Sequence, residues 1–345
     1  MNTMTLNNNT LESQQAMLPK TAKIYVSGHS GMVGSAILRR LRAGGYTNII
    51  TRNHIDLDLL DQRAVLSFMQ HEKPDYIFSA AAKVGGIVAN NRYRAEFIYE
   101  NLMIQANLIH SAYLSNVQRM LFLGSSCVYP RDCPQPIREE YLLTSPLEPT
   151  NEPYALAKIS GIKMCEAYNA QYGTQYVSVM PTNLYGPYDN YDLENSHVLP
   201  ALLRKTHEAM IQGEKTLTVW GSGKPMREFL HVSDMADACV FLMEKNISNG
   251  IFNIGTGSDV SIKRLAEVIM KTVGYRGDVI YDTSKPDGTP RKWLDVSRMA
   301  DLGWRAQVSL EDGIKSTYHD YVKYVTQHRN FYLEATKHME SKADL

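Results

Sequence analysis

Three features of the chain predict an α/β protein built on a doubly wound parallel sheet, with a smaller α/β unit toward the C-terminus. The first is a short apolar run, Lys23 to Ser27, that feeds a glycine-rich turn and then an apolar-periodic helix from about Ser35 to Arg42. The second is the repetition of that strand–helix alternation as far as Met180, which calls for parallel strands with helices on both faces. The third is the placing of small and polar residues just after the strands, the edge where open α/β sheets bind ligands.

The elements follow in order. Thr47 to Thr51 reads as the second strand, with Asp61 placed to cap the helix after it. Asp75 to Ala82 (DYIFSAAA) reads as the third strand, and Lys83 to Asn91 as a glycine-containing loop. A long amphipathic helix is expected over Ala95 to Ser115, then a fourth strand over Arg119 to Gly124. Pro153 suits the first turn of a helix running to about Tyr172, with Asn151 or Glu152 as its cap. Tyr176 to Met180 is a further strand, entering the turn-rich loop Pro181 to Pro187. Beyond this the alternation loosens. His197 opens a helix to Gln212, and Leu217 to Gly221 reads as a strand. Met235 to Lys245 reads as a helix, Gly250 to Ile254 as a strand and Ser261 to Gly274 as a helix capped by Ser261. Lys285 to Lys292 reads as a basic, turn-forming loop. The expected division is a disordered tail over 1–22, a dinucleotide-binding domain over 23–182 with a later segment near 225–258, a substrate domain over 183–224 and 259–325, and a tail over 326–345.

Bulk properties exclude several classes. Lys+Arg and Asp+Glu are both 36, so no basic field points to nucleic acid or an anionic membrane. The 44% apolar and 21% charged content is that of a globular protein, and no apolar run approaches the ~18 residues that span a bilayer. Cys127, Cys133, Cys165 and Cys239 show no metal-type clustering and are too few for a disulfide scaffold, so no metal is expected and a reducing cytoplasm fits. Met1 to Lys20 lacks the basic start and apolar core of a secretory signal.

The chemistry-bearing residues lie where that fold would bring them together. In Gly28-His29-Ser30-Gly31-Met32-Val33-Gly34, the first two glycines let the backbone turn and approach a pyrophosphate. Gly34 lets helix and strand pack closely, and the helix N-terminus attracts phosphate. A carboxylate after the second strand would favour NAD; Arg52 and His54 stand there instead and suit a 2′-phosphate, which leans to NADP. The fourth strand ends in Leu123-Gly124-Ser125-Ser126-Cys127, where a serine can hydrogen-bond a substrate carbonyl. Tyr154 and Lys158 are four apart, so on a helix they share one face. An ammonium there would favour phenolate and make the tyrosine a better acid–base group. Arg227, Lys285, Arg291 and Lys292 are candidates to grip a diphosphate.

Gly28-x-x-Gly31-x-x-Gly34, the serine ending strand four, and Tyr154-x-x-x-Lys158 together resemble the extended short-chain dehydrogenase/reductases acting on nucleotide sugars. GHSGMVGSAI, AAAKVGGIVANN, FLGSSCVYP, LEPTNEPYALAK, MPTNLYGPYDN, VWGSGKPMREFLHV and SKPDGTPRKWLDV extend the likeness from about Lys23 to Tyr324. They match the branch of that family that turns GDP-4-keto-6-deoxymannose into GDP-L-fucose. The resemblance implies a Rossmann-type fold, NADP(H), a GDP-sugar substrate and a homodimer built on the Ala95–Ser115 and Tyr154 helices. It implies inversion at carbons 3 and 5 by Cys127 and His197, then reduction at carbon 4, with Ser125, Tyr154 and Lys158 as the reducing triad. It places Pro181, Asn183, Leu184 and His197 with the cofactor, and Lys205, Trp220, Arg227 and Asp287 with the GDP-sugar. Some members carry arginine where this chain has Ser30, His54 and Lys205, which implies a weaker phosphate grip and a point charge in place of a fork. A 4,6-dehydratase would carry an Asp-Glu pair at Ser126-Cys127, a 4-epimerase would leave Cys127 and His197 without a role, and a non-catalytic scaffold would not need the triad. A GDP-heptose substrate remains an alternative.

Overall fold

The computed structural model describes residues 18–343 apart from 194, 195, 246 and 286, with side chains described as far as 326. The strands are β1 Ile24–Ser27, β2 Ile49–Ile50, β3 Tyr76–Ser79, β4 Arg119–Leu123, β5 Gln175–Pro181, β6 Asn183–Tyr185, β7 Thr216–Trp220, β8 Met226–Arg227, β9 Phe229–His231, β10 Ile251–Ile254, β11 Val260–Ser261, β12 Asp278–Asp282 and β13 Arg291–Lys292. The helices are α1 Met32–Ala43, α2 Gln62–Glu72, α3 Ile87–Arg92, α4 Arg94–Leu114, α5 Glu152–Tyr172, α6 Val198–Gln212, α7 Val232–Glu244, α8 Ile262–Val273, α9 Ser297–Asp301 and α10 Leu310–Ala343.

The main sheet has six strands in the order β10-β5-β4-β3-β1-β2, all parallel. Its strands alternate between two cores, as a period of two requires. Leu121, Leu123, Val177 and Val179 face α1 and α7, where Ile37, Leu41, Met235 and Ala238 are buried. Met120, Phe122, Tyr176 and Met180 face α2, α4 and α5, with Val65, Leu108, Ile109 and Ile162. Covered on both sides, the strands need no polar face, hence their near-continuous apolar sequences. The chain runs from β1 outward to β2, then crosses to β3 on the other side of β1. That reversal opens a crevice at the strand C-termini, beside Gly28 and Ala80. A third core joins Leu199, Leu203, Leu217, Leu265, Ile269 and Ile314, from α6, β7, α8 and α10.

Four details differ from the sequence reading. β2 is only Ile49–Ile50, because it is an edge strand paired with two residues of β1. Part of the expected 83–91 loop is the short helix α3, started at Gly86. The expected tail over 1–22 lies outside the described residues up to 17, but Leu18 and Ala22 are buried in the core and the Tyr46 hydroxyl donates to the Leu18 carbonyl. The backbone of α10 continues through the boundary expected near 325. Asp61 does cap α2, accepting from Arg63 and Ala64 at 2.8 and 3.0 Å.

Gly34 sets how closely α1 meets the turn before it. A methyl group there would press into the Gly28 carbonyl and the His29 backbone. Gly34→Ala should therefore cost about 3 kcal/mol through forced separation of helix and strand. Chemical denaturation checks this, and an unchanged midpoint would refute the close-packing role.

Candidate active site

The glycine turn leaves α1 with an open N-terminus. Gly28 has φ 71°, and a Cβ on it would stand 2.8 Å from the Ala81 backbone, so only glycine fits between the turn and the end of β3. Gly31 is the N-cap and offers no side-chain cap; the first turn carries no acidic residue. The first-turn N–H groups thus keep no side-chain acceptor, and the helix dipole favours an anion at that point. His29 adds a buried Nδ1 without a partner, while Ser30 is exposed. Met32 and Val33 pack against the core beneath. These features fit a dinucleotide pyrophosphate. Arg52 is differently placed from the sequence reading. Its guanidinium binds Glu72 and the Thr51 carbonyl and lies over the Phe68 ring, and His54 is exposed, 3.7 Å from Asp58.

β4 delivers the reacting groups. Gly124 donates its N–H to the Val179 carbonyl at 2.8 Å, which ends the strand, and Ser126 is buried behind it. Ser125 opens a short 3-10 turn, its Oγ accepting from the Cys127 N–H at 3.2 Å. Across from it, α5 presents Tyr154, edge-on to Phe97. Burial raises the Tyr154 pKa well above the phenol range, the nearby Cys127 adds to that, and a hydrogen bond from Ser125 opposes it. Ser125, Cys127 and Tyr154 therefore converge.

Lys158 is held from within the protein. It is 3% exposed, and its Nζ donates to the Leu123 carbonyl at 2.7 Å, with the Tyr154 ring centroid 5.9 Å away. The Lys158 pKa is pulled down to about 8 by burial, because few dipoles replace the lost water.

His197 is the N-cap residue of α6 but makes no capping bond. Its surface stays open to solvent although protein atoms crowd it, which is the position of a group lining a cleft. That crowding, then the charge of Lys292, hold its pKa below the usual imidazole value. Lys292 pairs with Arg227 in the β13–β8 ladder, which ties His197 to the second group of candidates. There, Lys205 and Lys285 lie 4.7 and 5.4 Å from the centroid of the exposed Trp220 ring. Asp287 accepts from Ser222 N and Oγ at 2.6 and 2.7 Å and is kept ionised by these bonds. Burial lowers the Arg227 pKa, while Asp287 opposes this.

The parts played by two residues escaped the sequence reading. Glu228 is fully buried, and its carboxylate accepts from Thr256, Gly257 and Leu294 N–H groups at 2.7, 2.8 and 2.9 Å. Its carbonyl accepts from Thr182 and Asn183 side chains at 3.2 and 2.8 Å. Pro181 and Leu184 flank that anchored pair, Pro181 in register with Ile254 and Leu184 against the core. Asn151 or Glu152 was expected to cap α5, and Asn151 stands at the N-cap position. Its side chain nevertheless caps nothing and its Nδ2 donates to Cys127 Sγ at 3.4 Å. Neither role has a local signal, since both partners are distant in sequence.

Residues 24–255 match the model of the NAD dependent epimerase/dehydratase family. The chain belongs to that family. Among members, it is 56% identical over 92% of its length to a putative GDP-L-fucose synthase 2 of Arabidopsis thaliana, of which it covers 97%. It is 55% identical to the GDP-L-fucose synthase of Escherichia coli (strain K12), over 86% of this chain and 95% of that one. A GDP-mannoheptose C4 reductase from Campylobacter jejuni, solved with NADP bound, superposes with TM-score 0.80 at 39% identity, covering 88% of this chain and 99% of that one. Within this epimerase/dehydratase family the fold is an α/β one.

Lys158 offers a pH test. Between about pH 8 and its ordinary value near ~10.4 the unfolded chain binds the extra proton, so this group makes stability rise with pH there. Lys158→Met removes the titration. Its stability relative to the parent, both cofactor-free, should be about 3 kcal/mol more favourable at pH 7 than at pH 10.5. Denaturation at the two pH values reads this, and a pH-independent difference would contradict it.

Proposed function

We propose that this chain converts GDP-4-keto-6-deoxy-D-mannose to GDP-L-fucose by inverting carbons 3 and 5 and then reducing carbon 4. The observation that carries the reading is the convergence of a thiol, Cys127, with Ser125 and Tyr154 at the end of β4. Identity above 50% to proteins named GDP-L-fucose synthase, over most of both chains, supports the same substrate.

The chemistry follows from the groups present. A ketone acidifies its neighbouring C–H bonds only if the developing enolate oxygen is stabilised. Ser125 and Tyr154 are the donors for that oxygen. Inversion takes a proton from one face of the carbon and returns one to the other, so it needs two groups. Cys127 and His197 are the two groups, one taking the proton from one face and the other returning one to the opposite face. Tyr154, whose high pKa keeps its proton in place at pH 7, then donates it to the alkoxide formed at carbon 4. Lys158 holds the end of β4 through the Leu123 carbonyl, and its ammonium would hold the nicotinamide ribose of a bound cofactor. When bound, NADPH supplies the hydride, its pyrophosphate held by the Gly28–Gly34 turn with His29. Arg52 reaches a 2′-phosphate only by sharing itself with Glu72. Lys205, Trp220, Arg227 and Asp287 hold the GDP moiety, the Trp220 face offering a stacking surface.

The likeness to a GDP-mannoheptose C4 reductase favours a second reading, the same chemistry on a GDP-heptose. A cytoplasmic homodimer through α4 and α5, and a division into cofactor and substrate domains with the third core in the latter, complete the proposal. Among the described residues no helix is long and apolar enough to cross a membrane.

Protein mixed with NADPH and GDP-4-keto-6-deoxymannose should lose NADPH absorbance; consumption with a GDP-4-keto-heptose alone would transfer the assignment to the second reading. Cys127→Ser should slow deuterium uptake at carbons 3 and 5 by about 10²-fold or more, whereas Tyr154→Phe should slow hydride transfer by a similar factor. Unchanged exchange in the Cys127 variant would reduce that residue to packing.

A further inference from the structure

Asn151 occupies the position where a helix wants a side-chain cap. Asparagine is among the best residues for that purpose, since its oxygen can accept an N–H of the first turn. Here it does not. The backbone part of the cap is intact, with Ala155 donating to the Asn151 carbonyl at 3.0 Å. The side chain instead turns toward β4, and its Nδ2 donates to Cys127 Sγ at 3.4 Å. Its Oδ1 is buried with no hydrogen-bond partner. The fold thus forgoes a cap and tolerates an orphaned acceptor, and what it gains is one hydrogen bond to a sulfur. A local rule broken without structural gain marks a functional contact.

We propose that Asn151 is a positioning residue for Cys127, holding the sulfur toward the sugar and stabilising the thiolate that takes a proton from the substrate. This rests on the reading of Cys127 as an acid–base group. The geometry has two consequences. An N–H donor favours the charged, acceptor form of sulfur over the thiol. The turn that carries Cys127 is itself fixed, its N–H held by Ser125 Oγ, so a second point of attachment fixes the side-chain rotamer. Tyr154 on α5 is a titratable group close enough to the sulfur to couple to it, and it stays protonated at neutral pH, so it does not compete as a charge.

Two variants separate positioning from capping. Asn151→Ala removes the donor and, because no capping bond exists, should leave thermal stability nearly unchanged. Asn151→Asp restores a strong capping residue but sets a carboxylate against the sulfur. In a Cys133→Ser background, with Cys165 and Cys239 buried, iodoacetamide reports Cys127 alone. The midpoint of its alkylation–pH profile should move up by about one unit in Asn151→Ala and further in Asn151→Asp. Deuterium uptake at carbons 3 and 5 should fall about tenfold in the alanine variant and more in the aspartate variant, with Asn151→Asp no less stable than the parent. An alkylation midpoint that does not move overturns the proposal whatever Cys127 does. A moved midpoint with unaltered deuterium uptake in both the Asn151 and Cys127→Ser variants overturns the reading of Cys127, and the proposal with it.

Discussion

The site depends on one buried carboxylate. Glu228 accepts three backbone N–H groups and shares its neighbourhood with Thr182 and Asn183, so three separate segments meet around it. These are the β5–β6 junction, the loop after β10 and the chain just after β13. Burial works against its ionisation, and the backbone donors work for it. A carboxylate deprived of them would be an unpaired charge in the interior, which is far costlier than the bonds are individually strong. The arrangement therefore holds together or fails together, and with it the positions of Arg227 on one side and Lys292 on the other.

The reacting groups are poised by desolvation more than by neighbouring charge. Burial raises the Tyr154 pKa and lowers that of Lys158 and His197. Each is thereby biased to its neutral form, which suits groups that pass protons to and from a neutral ketone. The Lys158 ammonium has one carbonyl and an aromatic face for company, and anionic phosphates brought alongside would favour its charge again.

Much of this was legible in the residues. The glycine turn, the strand–helix alternation and the i,i+4 spacing of Tyr154 and Lys158 are local patterns, read through periodicity and backbone freedom. They were enough to predict the parallel sheet, the edge where Ser125 and Cys127 emerge, and the open N-terminus of α1. Strand lengths were less legible, because β2 ends where its one neighbour stops offering partners.

By itself, then, the sequence determined which backbone can turn at Gly28, which faces are apolar, and which chemical groups stand at the ends of strands. Only the tertiary structure decided whom those groups meet. Arg52 found Glu72, Lys158 found the carbonyl of Leu123, and Asn151 turned from its helix to the sulfur of Cys127. The reason is physical. Hydrogen bonds and ion pairs are short-ranged and directional, and these partners lie 20 or more residues apart, so only the packing of α5 and α2 on the sheet brings them within reach.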